Sequence, residues 1–400
     1  METGWAGRDG SSGQADEGPG GGLARYVVAA TLARVADGGA VVAVVLMVTT
    51  GGGPGWLAGL LGAAITGPHL AGPFVARALD TARDGRTVIA FACLFHGVAL
   101  VGAVLVYPYS WVVSILLLIL SGLVGPLLTG GVSSRLPAIA GADRRSQRRA
   151  QGWDVATYGI AGTVGPSVVA AVVAWANATV AGLVLAGAVV VAAGLMRLLP
   201  YAPPAGAASE VPRPVRTLGL MISNGPLRRT LYLTTAVASS VAVLPVIAVA
   251  SAGALGVGHA AAGVLTAAYG IGGLIASAGL MVRPLTGEAD RSMMLFAGAV
   301  AAALALVAVT TVFWAAVLAY AMAGLLNSGF FAATLAARSE YAPPAARGQV
   351  FVWIGALKIT AGSAGTALAG SVITTGIHLP LAAATVLTLA AAAIALAEKR

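Results

Sequence analysis

The sequence predicts an all-α integral membrane protein with about twelve transmembrane helices. Three observations support this fold class: the composition, the spacing of the apolar runs and the placement of the arginines. Of the 400 residues, 58% are hydrophobic and only 9% are charged, and the mean hydropathy is +0.90. A soluble domain ordinarily carries charge on about a quarter of its residues. Since a transmembrane helix needs about 20 apolar residues, a chain of this length has room for roughly a dozen.

The apolar runs follow a polar, glycine-rich stretch, residues 1–23, which lacks the apolar core of a signal peptide. We expect this stretch to be a disordered cytoplasmic tail. Short connections between several of the runs make neighbouring helices antiparallel. The predicted spans are 24–49, 54–78, 86–107, 109–133, 152–174, 177–199, 229–251, 258–282, 292–312, 314–338, 349–374 and 378–396.

Basic residues lie in alternate loops, which predicts the orientation of the chain. The loops after odd-numbered spans contain no Arg, Lys, Asp or Glu, whereas those after even-numbered spans are rich in arginine. Because cytoplasmic loops collect basic residues, we expect a multi-pass protein of the cell membrane with both termini in the cytoplasm. The basic residues that support this pattern are Arg83, Arg86, Arg135, Arg144, Arg145, Arg148, Arg149, Arg213, Arg216, Arg228, Arg283, Arg291, Arg338, Arg347, Lys399 and Arg400.

The longest connection, 200–228, divides the spans into two groups of six. We therefore expect a six-helix bundle over 24–199, a cytoplasmic linker over 200–228, a second bundle over 229–396 and a cytoplasmic C-terminus over 397–400. The sequence Ala-Gly-x-x-Gly occurs at 161–165 and again at an offset of 200 residues. A repeated half is common in transporters, so this weak repeat favours two related bundles.

Several function classes find no support in the sequence. The net charge of +9 sits in short loops between apolar runs, not on a solvated face with interleaved aromatic residues, so nucleic acid is not an expected partner. The single cysteine, Cys93, excludes an internal disulfide and a cysteine-based metal cluster. Phosphate-binding and nucleophile-elbow motifs are also absent. We expect no enzymatic activity, no cofactor and no metal site.

Three motifs carry a family resemblance. Arg-x-x-Asp occurs at 34–37 in the first span, and ALDTARDGRTV fills the following even-numbered loop at 78–88. Gly-Thr-Val-Gly-Pro lies at 162–166 in the fifth span. From residue 24 to its end, the chain resembles the major facilitator superfamily, particularly the bacterial twelve-helix drug-exporter branch.

The resemblance implies two six-helix bundles related by a pseudo-repeat, which act as a secondary transporter by alternating access. The implied activity is proton-coupled export of a hydrophobic or amphiphilic small molecule by a monomer in the lipid bilayer. Transport of a polar metabolite such as a sugar is the alternative. A non-transporting scaffold or receptor of the same fold is a further one.

Asp37 and Arg34 are the candidates for proton or substrate coupling, because charge inside a membrane ordinarily marks function. Asp37 lies about 20 Å along the first span at 1.5 Å per residue. Arg34, three residues earlier, shares its face and is positioned to neutralise it. A purely structural ion pair between them is the alternative.

Asn327, Ser328 and Lys358 are candidates for lining the cavity. The amide of Asn327 either binds a ligand or joins two helices, and Lys358 either faces the cavity or extends to the cytoplasmic surface. We expect Asp154 to cap the fifth helix or to pair with loop arginines. His69 and His96 are expected to be packed, hydrogen-bonded side chains.

The resemblance also implies a gating loop formed by Asp80, Arg83 and Arg86, in which the acid bonds to a helix terminus of the other half in the outward-facing state. Ordinary cytoplasmic charge is the alternative. A further group of small residues and a proline is expected to allow close packing and pivoting of the fifth span. Its members are Gly159, Gly162, Gly165 and Pro166.

Overall fold

The computed structural model describes residues 19–204, 206–258 and 261–399, and most of these are helical. The first half contains α1 (Pro19–Thr50), α2 (Gly55–Thr66), α3 (Gly72–Thr81), α4 (Gly85–Val106), α5 (Trp111–Pro126), α6 (Leu136–Ala140), α7 (Arg144–Trp175) and α8 (Ala178–Arg197). The remainder contains α9 (Pro214–Ser223), α10 (Gly225–Val241), α11 (Leu244–Ser251), α12 (Ala261–Val282), α13 (Ala289–Val309), α14 (Phe313–Tyr341), α15 (Arg347–Val372) and α16 (His378–Lys399).

Eleven helices in the described part of the chain are long and apolar enough to cross a membrane. They correspond to all the predicted spans except 54–78, which is divided into α2, a 3-10 turn over Gly67–Ala71, and α3. Pro68 and Pro73 explain the division, because proline removes a backbone donor and its ring clashes with the preceding turn. The prediction of an all-helical membrane protein is confirmed.

Proline interrupts other helices to different extents. Pro126 is followed by a π turn over Leu127–Gly131, and Pro245 opens α11 after a break in the seventh predicted span. Pro166, which we expected to act in pivoting, lies inside α7, and the helix continues through it.

Two predicted boundaries shift. Helix α1 begins at Pro19, inside the predicted tail 1–23, of which residues 1–18 lie outside the described part of the chain. The predicted linker 200–228 contains a helix of its own, α9, and α10 begins before residue 229. Helix α9 is anchored to α15, since the indole nitrogen of Trp353 donates to the carbonyl oxygen of Pro214 at 3.0 Å.

Each bundle buries its own core. One large cluster of buried residues extends from Tyr26 to Leu199 and includes Val352, and a second extends from Leu233 to Ala395. Small residues let helices of one bundle approach closely. A methyl group added at Gly324 of α14 would lie 1.9 Å from the carbonyl oxygen of Tyr269 in α12.

The loops 82–84, 141–143, 283–288 and 342–346 lie at one end of the helices, which we call the basic end. The connections at the opposite, uncharged end include 51–54, 107–110 and 310–312. Helices α3 and α7 of the first bundle pack against α15 and α12 of the second, respectively. The functional candidates lie along this contact between the bundles, within the first bundle, and between α12 and α14 of the second bundle.

Candidate functional site

Arg34 forms a buried ion pair with Asp154 of α7, not with Asp37. The Nη1 atom of Arg34 lies 2.7 Å from the Oδ1 atom of Asp154. Arg34 also donates to the hydroxyl oxygens of Thr157 and Ser133, the latter at 2.9 Å. The expected neutralisation of Asp37 by Arg34 is therefore wrong. Helix α7 offers Arg34 the carboxylate of Asp154 and one hydroxyl, and Ser133, which precedes α6, offers a second hydroxyl. Together they satisfy more of its donors than Asp37 alone.

Asp154 is fully buried and accepts hydrogen bonds from two further side chains. The hydroxyl of Tyr26 donates to Oδ1 at 2.6 Å, and the hydroxyl of Ser133 donates to Oδ2 at 2.8 Å. The expectation that Asp154 caps the helix or pairs with a loop arginine is wrong, because α7 begins at Arg144 and Asp143 is its N-cap. The predicted span 152–174 begins too late, because α7 extends ahead of its apolar part.

Asp37 faces His69, which lies in the 3-10 turn between α2 and α3. The Oδ1 atom of Asp37 is 4.0 Å from Nε2 of His69 and has no hydrogen-bond partner. The Nδ1 atom of His69 donates to the carbonyl oxygen of Ile65 at 3.1 Å, so Nε2 of the neutral ring is an acceptor. A hydrogen bond between Oδ1 of Asp37 and Nε2 of His69 therefore needs a proton on one of these two atoms.

His69 and His96 are packed and hydrogen-bonded, as expected. The Nδ1 atom of His96 lies 2.9 Å from the hydroxyl oxygen of Ser121, whereas its Nε2 atom has no partner. The proximity of His69 to Asp37 was not foreseen, because it depends on the break in the second predicted span.

Aromatic rings from both bundles meet around Lys358. The rings of Tyr158 in α7 and Phe331 in α14 pack edge to face, with centroids 4.9 Å apart. The Nζ atom of Lys358 lies 3.8 Å from the Phe331 centroid and 5.6 Å from that of Tyr158. The guanidinium carbon of Arg34 lies 3.7 Å from the Tyr158 centroid. Lys358 therefore points between the bundles and does not extend to the basic end.

Arg338 is a second buried cation near these rings. Only 1% of its surface is exposed, and its Nε atom has no hydrogen-bond partner. Its guanidinium carbon lies 5.8 Å from the centroids of both Phe331 and Phe351, and the Thr334 hydroxyl is 3.5 Å from Nη2. Arg338 was expected among the loop arginines, but α14 continues to Tyr341 and holds the side chain inside.

Asn327 and Ser328 lie against α12 of their own bundle. The amide nitrogen of Asn327 donates to the hydroxyl of Tyr269 at 2.8 Å. The hydroxyl oxygen of Ser328 is 2.9 Å from the position of a methyl group added at Gly273. These contacts match the alternative that Asn327 joins two helices.

The small residues of α7 differ in their surroundings. A methyl group added at Gly159 would lie 3.1 Å from Leu274 of the other bundle, and one at Gly165 would lie 2.9 Å from the carbonyl oxygen of Val35. Gly162 has open space around it, so the expected close packing is not found there.

Asp80 connects the two bundles at the basic end. Its Oδ1 atom accepts a hydrogen bond from the backbone nitrogen of Gly348 at 2.8 Å, and Oδ2 accepts one from Gln349 at 2.9 Å. Both donors lie in the first turn of α15, where unpaired backbone N–H groups favour a carboxylate. This is the contact with a helix terminus of the other half that the resemblance implied.

Arg83 and Arg86 do not cross between the bundles. Arg83 is exposed, and Arg86 binds Asp84 of its own loop with Nε and Oδ1 3.0 Å apart. The hydrogen bond from Arg86, together with the charge of Arg197 3.0 Å away, lowers the pKa of Asp84 to about 2. Of the predicted gating residues, only Asp80 reaches the other half.

A second polar contact crosses the basic end. The Nη2 atom of Arg148 lies 2.7 Å from Oε1 of Glu340, and Arg144 donates to the carbonyl oxygen of Gly287 at 2.7 Å. Within residues 19–204, 206–258 and 261–399, every hydrogen bond or ion pair between the two bundles lies at this end. From the sequence, these arginines were expected only to mark the orientation of the chain.

No protein-family model and no curated protein matches the sequence. Solved structures match nearly the whole chain. A bacterial homologue of the iron transporter ferroportin, in an outward-facing state with soaked iron, shares 15% identity with a TM-score of 0.74, covering 94% of this chain and 99% of its own. The outward conformation of the Major Facilitator Superfamily transporter FucP shares 12% identity with a TM-score of 0.74, covering 94% and 98%. This chain has the major facilitator fold.

A third structure, the human organic anion transporter TETRAN, matches at 13% identity with a TM-score of 0.74, covering 93% of this chain and 99% of its own. At such identities the likeness shows the shared major facilitator fold alone. Within that fold, Tyr158, Phe331 and Lys358 form a contact between the bundles, and Asp37 lies beside His69 inside the first bundle.

Proposed function

We propose that this protein is a secondary active transporter that works by alternating access and exports a hydrophobic or amphiphilic small molecule in exchange for protons. The observation that carries the proposal is the confinement of polar contacts between the described parts of the two bundles to the basic end. These contacts hold the bundles together at the basic end. Among the described residues, no hydrogen bond or ion pair does so at the opposite end.

The strength of these contacts suits a reversible gate. A hydrogen bond to a charged group contributes about 1.5–3 kcal/mol, and an ion pair that is partly exposed contributes less. Moving a two-state equilibrium from 1:99 to 99:1 takes about 5.5 kcal/mol. The contacts of Asp80 and Arg148 together are therefore large enough to favour one state, yet a bound substrate or proton can reverse the preference.

The arginine-rich loops support a cytoplasmic position for the basic end. On that orientation both termini lie in the cytoplasm of a cell-membrane protein that acts as a monomer, and closure of the basic end corresponds to an outward-facing state. Asp80 then closes the cytoplasmic gate, as the resemblance implied for this residue.

Asp37 and His69 supply the proposed proton site. Protonation of either group turns two facing acceptors into a donor and an acceptor, which draws the 3-10 turn toward α1. That turn continues directly into α3, which carries Asp80. A movement of the turn on protonation therefore shifts α3 and the contact of Asp80 with α15. Arg34 forms its ion pair with Asp154 and so holds α1 against α7, which is a structural task.

The aromatic rings between the bundles favour an amphiphilic substrate over a sugar. Tyr158 and Phe331 present ring surface, whereas the amide of Asn327 is already bonded to Tyr269. A sugar site needs several free hydrogen-bonding groups. A polar metabolite is the second candidate, and a non-transporting scaffold is the outcome if no compound moves.

Accumulation of dyes in cells without their own exporters tests the proposal. The dyes are sulforhodamine, Nile red and ethidium, which differ in charge, and each is measured with and without a protonophore. We expect wild-type protein to lower accumulation of at least one dye, and Asp37→Asn and the protonophore to abolish this effect. Glu210→Gln, which removes an exposed carboxylate from the linker, is the matched control. Accumulation equal to that of the empty vector, at equal membrane expression, would contradict drug export.

A further inference from the structure

We propose that Arg338 and Lys358 bind an organic anion, namely a carboxylate or sulfonate that carries an apolar body. This inference rests on the proposed transport function and names the class of its substrate. It is carried by an imbalance of charge between the bundles, not by the family resemblance.

Three cations lie around the rings of Tyr158 and Phe331, and only one of them has a counter-ion among the residues that the structure describes. Arg34 is paired with Asp154 at 2.7 Å. In the part of the chain that the structure describes, Arg338 and Lys358 have no carboxylate within ion-pair distance. Asp154 already accepts hydrogen bonds from Arg34, Tyr26 and Ser133 and forms its ion pair with Arg34.

An uncompensated cation in this position is costly. Burying a charge without a partner is unfavourable, and the guanidinium of arginine does not lose its proton in proteins. The rings near Arg338 and Lys358 provide cation–π attraction, but such contacts leave the N–H donors unfilled. The Nε atom of Arg338, which has no hydrogen-bond partner, is such a donor.

The surroundings select the rest of the ligand. The Nζ atom of Lys358 lies 3.8 Å from the centroid of Phe331, whose edge-to-face partner is Tyr158. An anionic group that bonds to the two cations therefore brings its neighbouring atoms against aromatic surface. Because Tyr158 belongs to the first bundle and the cations to the second, such a ligand contacts both halves, and its binding depends on how they are arranged.

Isothermal titration calorimetry on the full-length protein in detergent tests the inference with matched probes. Naphthoate, naphthamide and naphthylmethylammonium share an aromatic body and differ in charge. We expect naphthoate to bind at least about tenfold more tightly than naphthamide, since hydrogen bonds between charged groups are worth about that factor or more. Naphthylmethylammonium is expected to bind most weakly.

Variants assign the preference to the two cations. Lys358→Gln and Arg338→Gln are each expected to remove about tenfold or more of the preference for naphthoate over naphthamide, whereas Lys358→Arg and Arg338→Lys keep part of it. Arg149→Gln, which removes an exposed arginine of α7, is the control and is expected to keep all of it. If Arg338→Gln does not fold, Lys358→Gln carries the test, because this side chain is only half-buried.

Several results would overturn the inference. They are the absence of naphthoate binding, equal affinities for naphthoate and naphthamide, and a preference that survives both glutamine substitutions. If inorganic phosphate bound as tightly as naphthoate, the proposal that the ligand carries an apolar organic body would be overturned. Anion-selective binding without dye export would contradict the proposed transport but support the anion site. Failure of the transport proposal can therefore be distinguished from failure of the anion-binding proposal.

Discussion

Asp80 and Gly348 join the two halves of the molecule, with a carboxylate oxygen of Asp80 2.8 Å from the backbone nitrogen of Gly348. They are separated by most of the chain, yet the hydrogen bond between them holds α3 of the first bundle against α15 of the second. A side-chain acceptor on a helix N-terminus tolerates small rotations of the helix, which suits a contact that forms and breaks repeatedly.

Asp80→Asn is expected to open the basic end. The amide keeps the shape but loses the charge, so the contact with α15 weakens by about 1–2 kcal/mol.

A cysteine introduced by Ser134→Cys, in a Cys93→Ser background, reports the opening, because Ser134 lines the same cavity as Asp80 and Gly348. We expect its labelling by a maleimide to become about tenfold faster. Asp84→Asn, whose carboxylate bonds only within its own bundle, is the control, and equal rates in both variants would contradict a gating role for Asp80.

Asp154→Asn is expected to destabilise the protein by roughly 3–5 kcal/mol, because it leaves the buried guanidinium of Arg34 without its counter-ion. Asp37→Asn is expected to have a much smaller effect, since the Oδ1 atom of Asp37 makes no hydrogen bond to lose. The free energy of unfolding in detergent, measured by denaturant titration, compares the two. Similar losses would show that Arg34 depends on both acids and would refute the assignment of Asp154 as its partner.

The pH dependence of stability is expected to include a contribution from Asp84. Arg86 and Arg197 lower the pKa of Asp84 to about 2 in the folded protein, whereas an unfolded aspartate titrates near about 3.9. The stabilisation is therefore present above about pH 4 and disappears as the pH falls toward about 2. Melting temperatures of wild type and Asp84→Asn should differ at neutral pH and converge in acid. A constant difference across this range would contradict the ion pairs.

Gly324→Ala tests the close contact of α14 with α12. The added methyl group would lie 1.9 Å from the carbonyl oxygen of Tyr269, so the helices must separate, at a cost of about 1–3 kcal/mol or more. Gly298→Ala in α13 adds the same methyl group at a position where no atom lies within 4 Å. This substitution is expected to leave the stability of the protein unchanged or to increase it. Thermal unfolding of the two variants, compared in one detergent, would refute the packing if their melting temperatures were equal.

Apolar periodicity and arginine placement are sufficient to predict the helical membrane fold, because lipid imposes length and composition on each span. The pairing of charges is harder to predict. Arg34 bonds to Asp154 and not to the nearby Asp37 because the partner is set by helix packing, and Arg338 is buried because α14 extends beyond its apolar run. The contact of Asp80 with α15 was predicted only through the family resemblance, because the sequence around Asp80 does not indicate which residues it contacts.

The central claim, proton-coupled transport through Asp37, is tested most directly in everted membrane vesicles with an acidified interior. A pH-sensitive dye in the lumen reports protons that leave when sulforhodamine is added outside. The account predicts that sulforhodamine raises the luminal pH in vesicles with wild-type protein or Glu210→Gln, and that Asp37→Asn removes this response at equal expression. A response of unchanged size in Asp37→Asn, or none in wild type, would contradict it.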